Sequence, residues 1–160
     1  MKKLVLSLLL VNLFVYASLA NDFQNNEKPA NEKIKWVSVE EAQRLGKENP
    51  KKVFVDVYTN WCGYCKKMDA TTFSDPSVIE YVNENFYAIK LNAESKKMIT
   101  FNGSVLSEAE LAKAFRVSGY PTIVFIDETF QYLQPVPGYR QAADFKKMLQ
   151  QFNEAKASNQ

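Results

Sequence analysis

The sequence contains no histidine and only two cysteines, Cys62 and Cys65, among its 160 residues. A structural zinc site takes four ligands, usually cysteine and histidine. Two thiols alone cannot complete such a site, so we expect no metal. A short disulfide that only braces the fold is the weaker alternative, because bracing disulfides usually close longer loops. The spacing therefore predicts dithiol redox chemistry.

An excess of charge of one sign is also missing. The chain has 20 basic and 18 acidic residues and a formal net charge of +2. Two of the basic residues, Lys2 and Lys3, lie at the N-terminus, and the remainder is balanced with no block of like charge. The composition therefore gives no indication of binding to nucleic acid or to an anionic membrane surface.

Long apolar runs are absent except near the N-terminus. Two lysines precede an apolar run over residues 4–16, and Ser18-Leu19-Ala20 follows with the small-x-small pattern of a cleavage site. This arrangement predicts a secretory signal peptide over residues 1–20, with an uncleaved membrane anchor as the alternative. A periplasmic or secreted location follows, where disulfides form and persist.

The remaining 140 residues have the length of one ordinary domain. Residues 21–33 are rich in Asn, Glu and Lys and lack apolar periodicity, so they predict a flexible leader. The folded domain is expected over residues 34–154, and residues 155–160 are expected to form a disordered tail.

Apolar periodicity and capping residues divide this domain into helices and strands. Ser38, Asp75 and Ser107 have the positions of helix N-caps, and the helix after Asp75 is expected to carry Phe86 on its apolar face. The last helix is predicted by the helical spacing of four apolar residues, Phe145, Met148, Leu149 and Phe152. Runs rich in β-formers predict strands over 53–58, 87–91, 122–126 and 132–136.

The run over residues 132–136 contains Pro135 and is followed by Pro137, so it is predicted to be an edge strand. Residues 97–106 contain Asn102-Gly103, which favours a tight turn and predicts a small surface hairpin. Because strands alternate with helices, the sequence predicts a three-layer α/β domain.

The cysteine motif lies where a buried strand passes into a helix. At the helix start, Cys62 faces unpaired N–H groups and the positive end of the helix dipole, which stabilise a thiolate, so Cys62 is the predicted nucleophile and Cys65 the resolving thiol. Asp56, in the preceding strand, is predicted to be buried, to have a raised pKa and to accept the proton of Cys65. Lys90 in the next apolar strand is its expected partner.

This pattern resembles the thioredoxin superfamily over roughly residues 36–152. Through the resemblance, Asp56 matches the buried acid, Cys62 and Cys65 the redox pair, Lys90 the nearby lysine and Pro121 the cis-proline beside the active site. The Tyr120-Pro121 bond is accordingly expected to be cis. The resemblance implies a three-layer α/β/α sandwich around a mixed sheet of four to five strands.

Within the superfamily, residues 72–76 are similar to the C-terminal periplasmic domain of the membrane reductase DsbD. The pair Gly63-Tyr64 departs from thioredoxin, which has a proline there, and is the pair found in the isomerase DsbC. The direction of electron flow is therefore left open by this motif.

We expect an extracytoplasmic thiol-disulfide oxidoreductase that reduces disulfide-containing proteins and is re-reduced by a membrane electron donor. No cofactor and a monomeric state are expected. A disulfide isomerase or oxidase, or a non-catalytic peptide-binding module of the same fold, are the alternatives. The predicted catalytic residues are Cys62, Cys65, Asp56 and Lys90, and the predicted substrate-binding residues are Trp61, Gly63, Tyr64, Tyr120 and Pro121.

Overall fold

The computed structural model describes residues 32–155, in which helices cover both faces of a five-stranded sheet. The predicted signal peptide, most of the predicted leader and residues 156–160 of the predicted tail lie outside the described residues. Within the described range, every helix is too short or too polar to cross a membrane.

Apart from one additional short strand at the start, the strands and helices follow one another in the order that the sequence predicts. The strands are β1 (Trp36–Val37), β2 (Lys52–Tyr58), β3 (Phe86–Asn92), β4 (Met98–Phe101), β5 (Ser104–Ser107), β6 (Thr122–Ile126) and β7 (Leu133–Pro137). The helices are α1 (Val39–Glu48), α2 (Gly63–Thr71), α3 (Pro76–Asn85), α4 (Glu108–Ala114) and α5 (Ala142–Glu154).

The central sheet has the strand order β1-β3-β2-β6-β7 and is mixed. Strands β1, β3 and β2 run parallel, whereas β6 is antiparallel to β2 and β7 is antiparallel to β6. Strand β7 lies at the edge, as its prolines predict, because proline cannot donate to a second neighbour. Strand β1 was not predicted, since two residues are too few to establish a periodicity.

Strand β2 contributes side chains to two separate cores. Val53, Val55 and Val57 pack with residues of α1 and α4, whereas Phe54 packs with residues of α2, α3 and α5. Successive side chains of a strand point to opposite faces, so Asp56 points to the same face as Phe54. The three-layer prediction is confirmed, and the acid faces the layer that contains α2.

The helix starts follow their capping residues. The Asp75 carboxylate accepts hydrogen bonds from the backbone N–H groups of Ser77 and Val78. Ser107 and Glu110 form a complete capping box, in which each side chain accepts from the other residue's backbone. The expected position of Phe86 was wrong: it caps the end of α3 and opens β3, because its backbone is already extended.

The predicted hairpin is confirmed as the antiparallel pair β4–β5. Asn102 and Gly103 have φ values of 48° and 79°, the left-handed region that these residues tolerate best. The hairpin is more than a surface feature, because Ile99 is buried in the core beneath α1 and α4. The Gln43 side chain on α1 donates to the Thr100 carbonyl at 2.8 Å.

Candidate active site

The two cysteines lie at the junction of the loop after β2 and the first turn of α2. Cys62 is the N-cap of α2, and its Sγ accepts a hydrogen bond from the Cys65 backbone N–H at 3.1 Å. The pair forms a disulfide with a Cα–Cα distance of 5.3 Å, and both residues are buried. The positive end of the helix dipole therefore acts directly on the sulfur of Cys62.

Asp56 is the buried acid beneath this helix, with 1% of its side chain exposed. It stands opposite Lys90 in the register of β2 and β3, and the distance from its Oδ2 to the lysine Nζ is 3.0 Å. Its other oxygen, Oδ1, has no hydrogen-bond partner among the described residues. Burial raises the pKa of Asp56 to about 6, although the charge and hydrogen bond of Lys90 pull the pKa downward.

Lys90 bridges two carboxylates, which sequence reasoning did not anticipate. Its Nζ also donates to Asp69 on α2. Burial alone would lower the pKa of Lys90, but Asp56 and Asp69 together raise it above its ordinary value. The same Nζ lies 5.0, 5.1 and 5.5 Å from the ring centroids of Trp36, Tyr58 and Phe73.

One feature of the sequence could have indicated this second carboxylate, namely the position of Asp69. It lies four residues after Cys65 on the same helix, and residues four apart share one helical face. With both acids ionised, the group formed by Asp56, Lys90 and Asp69 carries one net negative charge. We call these three residues the charge group; Asp56 is buried, whereas the side chains of Lys90 and Asp69 are 28% and 47% exposed.

Trp61 lies beside the disulfide and is 68% exposed. Its indole Nε1 donates to Glu94 Oε1 at 3.0 Å, and the Asn60 backbone N–H donates to Glu94 Oε2 at 3.0 Å. The Trp61 ring meets Tyr120 edge-to-face at 5.9 Å. The structure thus brings Trp61 and Tyr120 together and adds Glu94, whose position after β3 gave no clear signal in the sequence.

The bond between Tyr120 and Pro121 is cis, as expected. Pro121 is buried at the entry to β6, and β6 is the antiparallel neighbour of β2. The cis-proline loop, which precedes β6, and the cysteine loop, which follows β2, therefore lie at the same end of these two neighbouring strands.

Tyr64, between the cysteines, is 63% exposed and contacts Tyr139 with a centroid distance of 5.9 Å. Lys67 on α2 places its Nζ 5.0 Å from the centre of the Tyr139 ring. Tyr139 follows β7, far from the motif in sequence, so the motif could not reveal it. Gly63 is exposed, and no atom outside its own neighbourhood lies within 4 Å of a Cβ built on it.

A buried disulfide at a helix N-terminus, with an acid of raised pKa on the strand beneath it, is suited to thiol-disulfide exchange. A family model described as a thioredoxin-like domain matches residues 39–153. The chain belongs to this family. The fold and the cysteine pair together support a function in thiol-disulfide redox chemistry.

Similar sequences support the assignment to this family. The thiol:disulfide interchange protein DsbD of Actinobacillus pleuropneumoniae is 32% identical over 111 residues, which cover 68% of this chain and 18% of that protein. DsbD of Vibrio vulnificus is 33% identical over 125 residues, covering 75% and 20%. The chain thus spans about a fifth of the length of these relatives, and the predicted resemblance to DsbD is confirmed.

Solved structures show the same fold. The C-terminal domain of Neisseria meningitidis DsbD in the oxidised form aligns with a TM-score of 0.55 and 26% identity, covering 70% of this chain and 90% of that one. A thioredoxin from Thermus thermophilus aligns with a TM-score of 0.59 and 28% identity, covering 74% and 86%. The predicted thioredoxin-like sandwich is therefore confirmed.

Proposed function

We propose that this protein is an extracytoplasmic reductase of protein disulfides, with Cys62 as nucleophile and Cys65 as resolving thiol. The observation that carries the direction of electron flow is the charge group, in which a buried Asp56 and a more exposed Asp69 outnumber a single lysine. The predicted signal peptide and the similarity to DsbD support the extracytoplasmic location.

The charge group favours the disulfide over the thiolate. A dithiol is a strong oxidant when its reduced thiolate is well stabilised. Here the pKa of Asp56 is about 6, so this carboxylate is largely ionised at neutral pH. A negative group beneath the cysteines opposes a thiolate above it. The helix dipole acts in the other direction, but its effect is typically about 1 kcal/mol.

Catalysis proceeds in two exchanges. The Cys62 thiolate attacks one sulfur of the substrate disulfide, that bond breaks, and the second substrate sulfur leaves and takes up a proton. Asp56 then accepts the proton of Cys65, whose thiolate attacks Cys62 Sγ. The mixed disulfide breaks, its substrate sulfur leaves and takes up the proton from Asp56, and the Cys62–Cys65 disulfide forms. The substrate has then received two electrons and two protons.

Turnover then requires a donor of two electrons and two protons. We assign this role to a membrane electron carrier, because the predicted compartment is oxidising. The proposed contacts of the substrate segment are Trp61, Gly63 and Tyr64, which lie next to the cysteines in the chain, together with Tyr120 and Pro121 in the cis-proline loop.

The reduction potential tests this proposal. Equilibration with glutathione, followed by tryptophan fluorescence, should give a value near that of thioredoxin, about −270 mV, rather than near the about −120 mV of the strong oxidant DsbA. A potential more positive than roughly −150 mV would refute the reductase and favour an oxidase. Cys62→Ser serves as the control, since it removes the redox couple.

A further inference from the structure

The exposed aromatic surfaces on the two sides of the disulfide carry opposite charges. Tyr120, the partner of Trp61, packs against the core beneath α1 and α4, whereas Tyr139, the partner of Tyr64, packs against the core beneath α2, α3 and α5. The two aromatic pairs therefore flank the disulfide from opposite faces of the sheet. We call them the Trp61 side and the Tyr139 side.

The Trp61 side carries a negative charge. The exposed Glu94 carboxylate is held by two neutral donors, the Asn60 backbone N–H and the Trp61 indole. No lysine or arginine nitrogen lies within 4.0 Å of it among residues 32–155. Its charge therefore remains available to a bound segment.

The Tyr139 side carries positive charge held in the same manner. Lys67 lies over the Tyr139 ring, and the Arg140 guanidinium donates to the Tyr139 carbonyl at 2.9 Å. Neither cation has a carboxylate within 4.0 Å in the part of the chain that the structure describes. An aromatic face and a carbonyl oxygen orient these cations without neutralising them.

We propose that the Tyr139 side selects substrate segments that carry an acidic residue next to the reacting cysteine. Lys67 and Arg140 are the specificity-determining residues, and Glu94 disfavours a carboxylate on the Trp61 side. The inference rests on the proposed function, because the segment must present a disulfide to Cys62. Complementary charge across such an exposed surface acts mainly on selectivity and association rate.

Competition between two peptide disulfides tests the selectivity. They share one sequence except at the residues flanking cysteine, which are Asp in one and Lys in the other. The readout is the ratio of kcat/KM for the acidic over the basic peptide. We expect a ratio of about ten at low salt, because each exposed charge pair contributes a preference of a few-fold. In 0.5 M salt the ratio should approach one.

Substitutions of single lysines test whether the selectivity comes from the Tyr139 side. Lys67→Met should lower the ratio about threefold, and Lys67→Glu should lower it further. Lys113→Met, which removes an exposed lysine from α4 on the other face of the sheet, should leave the ratio unchanged. A ratio near one in the unaltered protein, or equal losses for Lys67→Met and Lys113→Met, would overturn the inference.

A neutral small substrate distinguishes failure of the charge selectivity from failure of the proposed reductase activity. Bis(2-hydroxyethyl) disulfide carries no charge to select. If the unaltered protein reduces it but treats both peptides alike, the charge selectivity is wrong and the reductase stands. If it reduces neither this compound nor the peptides, both proposals are overturned.

Discussion

At the scale of single residues, burial and charge conflict at Asp56. The carboxylate is almost fully removed from water, which disfavours its ionised form. Lys90 stabilises the ionised form of Asp56 through a hydrogen bond to one of its two oxygens. The negative charge of Asp69 destabilises that ionised form. The result is a pKa of about 6, where a carboxyl group both accepts and releases protons near neutral pH.

Asp56 should make the folded state less stable as pH rises. The pKa is 3.8 for the free residue and about 6 in the fold, so between these values the folded state binds the proton more tightly. Its stabilising contribution is complete below about pH 4 and is lost as pH rises through 6. Relative to Asp56→Asn, the unfolding free energy should fall by roughly 2–3 kcal/mol from pH 4 to pH 7.

Urea unfolding of the two oxidised proteins at several pH values measures this difference. Asp144→Asn, an exposed acid in the first turn of α5, is the control and should follow the unaltered protein. Parallel pH profiles for Asp56→Asn and the unaltered protein would show that the acid is not perturbed by burial.

The two cysteines should separate into distinct kinetic roles. Cys62→Ser should abolish disulfide reduction, whereas Cys65→Ser should accumulate a stable mixed disulfide, because the attacking thiolate lies at the helix N-terminus. Asp56→Asn should slow resolution more than the first attack, since the acid is proposed to take the proton of Cys65. Stopped-flow kinetics and mass spectrometry resolve these steps. Alkylation of Cys65 before Cys62 at mildly acidic pH would reverse the assignment.

At the scale of elements, the charge group links α2 to β2 and β3. Asp69 reaches Lys90 from the helix, and Asp56 reaches it from the neighbouring strand. Because Asp69 raises the pKa of Asp56, Asp69→Asn should lower it. A carbon-13 NMR titration of the Asp56 carboxyl measures the shift. An unchanged or higher pKa of Asp56 would show that the charge of Asp69 does not raise it.

The β4–β5 hairpin depends on its two turn residues. Gly103 has a φ of 79°, which a side chain disfavours by roughly 1–2 kcal/mol, so Gly103→Ala should lower the unfolding free energy by about that amount. Gly119→Ala is the matched control, because no atom outside its own neighbourhood lies within 4 Å of its added Cβ and its φ is not in the left-handed region. Equal effects of the two substitutions in urea unfolding would contradict the turn argument.

Sequence patterns predicted most elements because each has a local cause. The Asp75 and Ser107 caps, the Asn102-Gly103 turn and the apolar run of β2 act within a few residues of chain. Strand β1 exists only through its pairing with β3, so no local pattern reveals it.

The same distinction holds for the candidate site. Cys62, Cys65, Asp56, Lys90 and Pro121 were found from local context and family resemblance. Their partners Asp69, Glu94 and Tyr139 come from other positions in the chain and are brought near by the sheet order and by α2. Roles that depend on such tertiary contacts were therefore not predictable from the motif.

At the scale of the whole molecule, two cores share the strand that leads into the active site. One core lies under α1 and α4 and the other under α2, α3 and α5, and β2 supplies residues to both. Loss of either core removes packing from β2 and from the loop that carries Cys62. The two layers are therefore expected to unfold together.

Single truncations in each core test this cooperativity. Leu111 on α4 and Leu149 on α5 are both almost fully buried, one in each core. Leu111→Ala and Leu149→Ala should each lower the unfolding free energy by about 2–5 kcal/mol, through lost burial and the cavity left behind. If the domain unfolds as one unit, far-ultraviolet circular dichroism and tryptophan fluorescence should give coincident transitions in both variants. Thermal unfolding of the oxidised protein provides the measurement. Separate transitions, in which one variant loses tryptophan fluorescence while helical signal persists, would show that the two layers unfold independently and that β2 does not couple them.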